Sequence, residues 1–120
     1  MKTIVTGLLG EEAAANHLQA QGWTIRHRRF RVRGGEIDLV VERGGCIVFA
    51  EVKARTAGAL DDGRGAVTLS KQRRVARAAA IYVARYHVGD RPCRFDVLTV
   101  EVDVRGSTHV THLEGAFDAP

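Results

Sequence analysis

The stretch from Gly34 to Arg55, GGEIDLVVERGGCIVFAEVKAR, decides the fold. It reads as a β-hairpin turning at Gly44-Gly45, because paired glycines supply the positive φ of a tight hairpin turn and both flanks are rich in β-branched and apolar residues. A turn centred between those glycines sets Ile37, Leu39 and Val41 opposite Val52, Ala50 and Val48, which makes one face wholly apolar. The other face sets Asp38 across from Glu51 and Glu36 across from Lys53, with Val40 and Phe49 nearer the turn.

Opposed side chains in a hairpin have Cβ atoms about 4.5–5.5 Å apart, and like charges placed there are destabilising. Asp38 against Glu51 therefore calls for a neutralising partner. A divalent cation is one, since Mg²⁺ is commonly held by one or two carboxylates together with waters and phosphate oxygens. The alternative is a solvated outer face with scattered charges, set against the apolar one. A three-residue turn would slide Asp38 off Glu51 and leave no opposed pair.

Length and composition narrow the remaining possibilities. A chain of 120 residues, 45% hydrophobic and 27% charged, suits one soluble globular domain over 1–120. No apolar run approaches the roughly 18 residues of a membrane span, and no signal-peptide pattern opens the sequence. Cys46 and Cys93 are isolated, without a Cys-x-x-Cys or a His-rich partner segment. They read as free thiols in a reducing cytoplasm, and no structural zinc site is expected. The net charge of +4 hints at a polyanionic partner. The positive charge is concentrated in Arg26, Arg28, Arg29, Arg31 and Arg33 and again in Lys71, Arg73, Arg74 and Arg77. Such clusters suit a nucleic-acid surface, the alternative being solvated basic faces.

Residues 7–21 read as a helix closed by Gly22 as its C′ residue. Its stripe of Leu8, Ala14, Ala15 and Leu18 includes Glu11, an unusual place for a carboxylate unless it is paired or sits exposed in the first turn. Trp23 to about Arg29 reads as a strand, and Phe30 as either a base-stacking platform or a core anchor. Ala54 to Ala66, with Asp61 and Asp62, lacks apolar periodicity and reads as a loop beside the hairpin. Thr68 or Ser70 caps a second helix reaching about His87, with Val75, Ala78, Ala79, Tyr82, Val83 and Tyr86 as its apolar stripe. Strands over Cys93–Val104 and Thr108–Leu113 follow, with Asp96 expected in an ion pair with a neighbouring arginine. The order is helix, three strands, helix, two strands. It predicts an α/β fold with a mixed central sheet of about five strands flanked by two main helices.

Asp38 followed by Glu51-Val52-Lys53 resembles the PD-(D/E)XK nuclease signature, although Glu36-Ile37, without a proline, precedes the Asp. The blocks GEE at 10–12, GGEIDLV, VFAEVKAR, SKQRR and RFDVLTV resemble, in that order, the YraN family of small bacterial endonuclease-like proteins. The resemblance implies a restriction-endonuclease-like fold and a metal-dependent nuclease using Mg²⁺ or Mn²⁺, with Asp38 and Glu51 as ligands and the Val52 carbonyl as a third. Lys53 would orient or deprotonate the attacking water; its alternative role is an ordinary ion pair with Glu36, which otherwise tunes it from behind. Gly10-Glu11 matches the family block whose Glu lies beside the metal, which favours Glu11 over Glu12. Lys71 and Gln72 would sit near the substrate end of the second helix. Family members typically carry Asn where Arg29 stands, so the arginine adds a phosphate-binding charge.

The expected nucleic-acid contacts are Arg26, Arg28, Arg29, Arg31, Arg33, Lys71, Arg73 and Arg74. Such contacts position a duplex without reading its sequence. DNA, and a branched repair or recombination intermediate rather than a specific site, is therefore the expected substrate. Similarity to Holliday-junction resolvases implies a homodimer. The alternatives are a non-catalytic nucleic-acid-binding module and a scaffold in a DNA-processing complex.

Overall fold

Gly44 and Gly45 both take positive φ, 57° and 81°, so the hairpin turns where expected. The computed structural model of the chain describes residues 4–58 and 67–120. Its elements are α1 (Ile4–Ala20), β1 (Thr24–Val32), β2 (Gly35–Arg43), β3 (Cys46–Thr56), α2 (Leu69–Arg85), β4 (Cys93–Val102) and β5 (Thr108–Phe117). The strands form one sheet in the order β1-β2-β3-β4-β5. Every pairing is antiparallel except β3 with β4, whose parallel alignment is reached through α2. The α/β fold with five mixed strands and two helices is thus observed.

Next to the turn the register is the expected one, with Val41 opposite Val48, Val40 opposite Phe49 and Leu39 opposite Ala50. The ladder ends there. The three pairs expected further out, Ile37 with Val52, Asp38 with Glu51 and Glu36 with Lys53, are not ladder pairs. Each strand instead follows its outer neighbour, β2 keeping β1 as far as Gly35 opposite Val32 and β3 keeping β4 as far as Thr56 opposite Val102.

Both faces of the sheet are covered, which overturns the solvated-face alternative. On one face Ala14, Ala15 and Leu18 of α1 pack with Leu39, Val41, Val48, Ala50, Leu98 and Val100. On the other, Val75, Ala78, Ala79 and Tyr82 of α2 pack with Phe30, Ile37, Val40, Ile47 and Phe49. Ile37 therefore lies under α2, not beside Leu39 as simple alternation predicts. The alternation breaks where Arg29 of β1, at φ 53°, kinks the ladder next to Asp38. Phe30, 7% exposed, is a core anchor rather than a stacking platform.

Two glycines let the helices close on the sheet. A Cβ on Gly10 would overlap Ala54 Cβ, and one on Gly35 would lie 2.6 Å from the Arg74 carbonyl oxygen. Gly10 takes the place in the α1 stripe that the sequence offers to Leu8, which is half-exposed. Gly35 is a strand residue pressed on α2, while Gly34, at φ 77°, makes the turn.

Element ends shift modestly. Thr68 is the cap of α2, its Oγ1 accepting the Lys71 N–H at 3.2 Å. β1 runs past Arg29 to Val32, and β3 runs to Thr56, past the expected loop start at Ala54. β5 reaches Phe117, and Val104 is an exposed turn residue rather than the end of β4. Of the rest of that expected loop, residues 59–66, with Asp61 and Asp62, lie outside the described residues. Among the described residues no helix is long and apolar enough to cross a membrane.

Candidate active site

The site lies where β2 and β3 part. An ordinary ladder would give the Val52 N–H a backbone carbonyl; here Asp38 Oδ2 accepts it at 2.8 Å. Glu51 on β3 is 5% exposed, and its Oε1 is buried with no hydrogen-bond partner among the described residues. Its Oε2 lies 3.3 Å from Lys71 Nζ in the first turn of α2. The same ammonium donates to Glu36 Oε1 at 3.3 Å. Glu36 also faces Arg31 Nε at 3.5 Å and Arg74 Nη2 at 3.7 Å.

The two central carboxyls resist ionising. Burial, and then the charge of Asp38 beside it, pushes Glu51 up to about 8. Burial likewise raises Asp38, against the Val52 N–H, which favours the charged form. Glu36 behaves oppositely: burial raises it, but Lys71, Arg74 and Arg31 together hold it below the usual carboxylate range. Near neutral pH the Asp38–Glu51 pair therefore retains a proton unless a cation replaces it.

Two clefts open on either side of the split. One of about 290 Å³ is lined by Glu51, Val52, Lys53, Val67, Thr68 and Lys71. The other, about 260 Å³, is lined by Leu8, Glu11, Glu12, Arg28, Arg29, Asp38 and Leu39. A larger cleft of about 720 Å³, along β5 and the start of α2, contains none of the expected catalytic carboxylates.

Of the residues singled out from sequence, Asp38, Glu51, Lys53, Glu36 and Lys71 meet at this split. Glu11 faces Asp38 across the second cleft, but Arg29 holds it, Nε and Nη2 donating to Oε1 at 3.0 and 2.8 Å. Among the described residues no group of three or more His, Cys, Asp or Glu converges on one point. A buried carboxylate oxygen without a partner, beside a second carboxylate, nonetheless fits a hard divalent cation, which binds through oxygens and completes its shell with water.

Glu36 is opposite Arg31 on β1 and bonded to Lys71, so the β-ladder does not place it opposite Lys53. Lys71, expected near the site as a phosphate contact, lies between two carboxylates. One sequence signal pointed there: three residues after the cap, a cation opposes the helix dipole unless acids face it.

The basic arm is largely tied down. Arg26 pairs with Glu42 at 3.2 Å and lies 5.6 Å from the centre of the Tyr82 ring; Arg28 pairs with Glu12 at 3.3 Å. Arg28, Arg29, Arg31, Arg33, Arg73 and Arg74 remain at the exposed surface. Asp96 forms the expected ion pair, with Arg94 Nε at 2.8 Å, and also meets His112 Nε2 at 2.7 Å and the Gly115 N–H at 2.9 Å. Burial would raise its pKa, but these partners hold it down at about 2. That network sits one rung from Glu51 but on the face that packs against α1, away from Lys71.

The sequence profile of the family described as "Uncharacterised protein family UPF0102" matches residues 10–114. A UPF0102 protein of Symbiobacterium thermophilum is 45% identical over 113 residues, spanning 94% of this chain and 96% of the relative. One from Gloeobacter violaceus is 46% identical over 114 residues, 92% and 90% of the two chains. A third, from Myxococcus xanthus, is 42% identical over 113 residues, 94% and 89% of the two.

Proposed function

For this chain, which belongs to the UPF0102 family, we propose a metal-dependent nuclease that hydrolyses phosphodiester bonds in DNA, with a core of the PD-(D/E)XK type. One observation carries the reading: Glu51 Oε1 is buried against Asp38, with which it can bond only by sharing a proton, and no other donor among the described residues reaches it. Leaving a carboxylate oxygen buried and unpaired is costly, and coordination of a cation removes that penalty.

Asp38 and Glu51 would hold Mg²⁺ or Mn²⁺, with the Val52 carbonyl as a third donor and Glu11 joining through water. A cation bound there supplies Lewis acidity, acidifying water and neutralising phosphate oxygens. Lys53, two residues beyond Glu51 and lining the same cleft, orients or deprotonates the attacking water. Glu36 acts behind it, by holding Lys71 in place. The exposed arginines of β1 and of the first turns of α2 hold flanking phosphates. They fix orientation without reading sequence, which suits a substrate chosen by shape, such as a branched repair or recombination intermediate. A homodimer working in the cytoplasm completes the proposal.

The rival is a non-catalytic DNA-binding module or scaffold in a DNA-processing complex. It is favoured by the clasp of Arg29 on Glu11, which keeps a third carboxylate out of the centre. The two readings separate in a cleavage assay on labelled branched, flapped and linear DNA with Mg²⁺ or Mn²⁺. Metal-dependent cutting by the native chain, lost in both Asp38→Ala and Lys53→Ala, is the expected result. Binding without cutting on every substrate would move the module ahead.

A further inference from the structure

We propose that Lys71 is a built-in counter-ion. In the metal-free protein its ammonium neutralises the carboxylates of the split, and it withdraws when a divalent cation binds. The inference rests on the reading of Asp38 and Glu51 as a cation site, and it adds a residue to which no role at the metal had been given.

The geometry is specific. Lys71 Nζ is equidistant, at 3.3 Å, from Glu51 Oε2 and Glu36 Oε1. It lines the same cleft as Glu51, Val52 and Lys53. A second cation among the same oxygens would be repelled at these separations, so Lys71 and a divalent ion compete for Glu51. The competition has a built-in resolution. Glu36 keeps hold of the ammonium while Glu51 is released, and the side chain, 35% exposed, has room to swing outward without disturbing the core.

The helix does not account for the lysine being there. Lys71 stands three residues after the Thr68 cap, where the aligned peptide dipoles disfavour positive charge, and the first turn of α2 contains no acid to offset it. Its position is explained by what it faces across the cleft. The arrangement also prevents the split from becoming a bare cluster of negative charge before the ion arrives. Arg29 treats Glu11 in the same way on the far side of Asp38.

The test is Mn²⁺ binding to the full chain without DNA, measured by titration calorimetry. Lys71→Met keeps the stem and removes the charge, and it should bind Mn²⁺ about three- to tenfold more tightly than the native chain. Lys71→Arg, which keeps the charge, should gain nothing. In the native chain the Lys71 ¹³Cε resonance should move as Mg²⁺ is added, a readout that does not depend on any variant folding. Native-like or weaker Mn²⁺ binding by Lys71→Met, or a Lys71 resonance that stays fixed while Mg²⁺ saturates, overturns the inference and leaves the nuclease reading standing. Absence of Mn²⁺ binding in both the native chain and Lys71→Met overturns the two together.

Discussion

Glu51 shows at the scale of one residue how the proposed site would trade stability for chemistry. Its carboxyl titrates near 4.5 in an ordinary setting and at about 8 in the fold. Between those values the folded chain binds a proton that the unfolded chain releases, so the stability of the metal-free protein falls as pH rises through that window. Glu51→Gln removes this liability. It should be more stable than the native chain by about 0.5–2 kcal/mol, with a margin that widens from pH 5 to pH 8, while losing metal binding. A calorimetric melt that shows no gain at pH 8 would contradict the assignment. Because a cation binds the ionised form, metal affinity of the native chain should rise with pH and level off above about 8.

Asp96 has the opposite sign. Held down at about 2 by its partners, it contributes stability that is present above its ordinary 3.8 and is lost as pH falls through 2. Asp96→Asn should cost about 3 kcal/mol in denaturant melts and leave Mn²⁺ affinity unchanged. The pairing of Asp96 with an arginine was legible in Arg94-Phe95-Asp96. Its further partners His112 and Gly115 were not, because a bulge in β5 brings them near and no local pattern announces it.

At the scale of elements, the two Gly-Glu steps do the positioning. Gly10 lets α1 meet β3 and so brings Glu11 alongside Asp38; Gly35 lets α2 meet β2 and so brings Lys71 to Glu36. Gly10→Ala should destabilise by about 1–3 kcal/mol through overlap with Ala54, and should weaken metal binding as α1 backs away. Melting and Mn²⁺ titration of that variant check both halves, and unchanged values in both would show that the helix does not set the site.

The hairpin was legible near its turn because two glycines and short-range alternation dictate register there. Beyond Leu39 the prediction failed for a physical reason: β2 and β3 each have a better partner outside the pair, and like charges give them no reason to stay together. Asp38 and Glu51 nevertheless remain close, since Asp38 reaches across to the Val52 N–H. The anomaly that marked them, two acids facing each other, survived although the ladder meant to hold them did not. The carboxylate partners of Lys71 were not legible, because they depend on how α2 docks, which is a property of the packed sheet.

For the whole molecule, the mixed sheet makes the split possible. A purely antiparallel meander would carry the β2–β3 ladder to its end. The crossover through α2 instead makes β3 parallel to β4 and places the start of α2 above Glu51. Helices on both faces then bury the parting point, and this is what raises Glu51. Several arginines of the two basic clusters already have acidic partners, so on the proposed function DNA affinity should fall with salt, but with a slope smaller than the arginine count suggests.

The most direct measurement is an anomalous difference map from crystals of the full chain soaked in Mn²⁺. A single strong peak per chain between Asp38 and Glu51, with Lys71 moved off Glu51, is the predicted result. Saturating Mn²⁺ with no peak at the split, or a peak elsewhere with Lys71 still bonded to Glu51, would contradict the account.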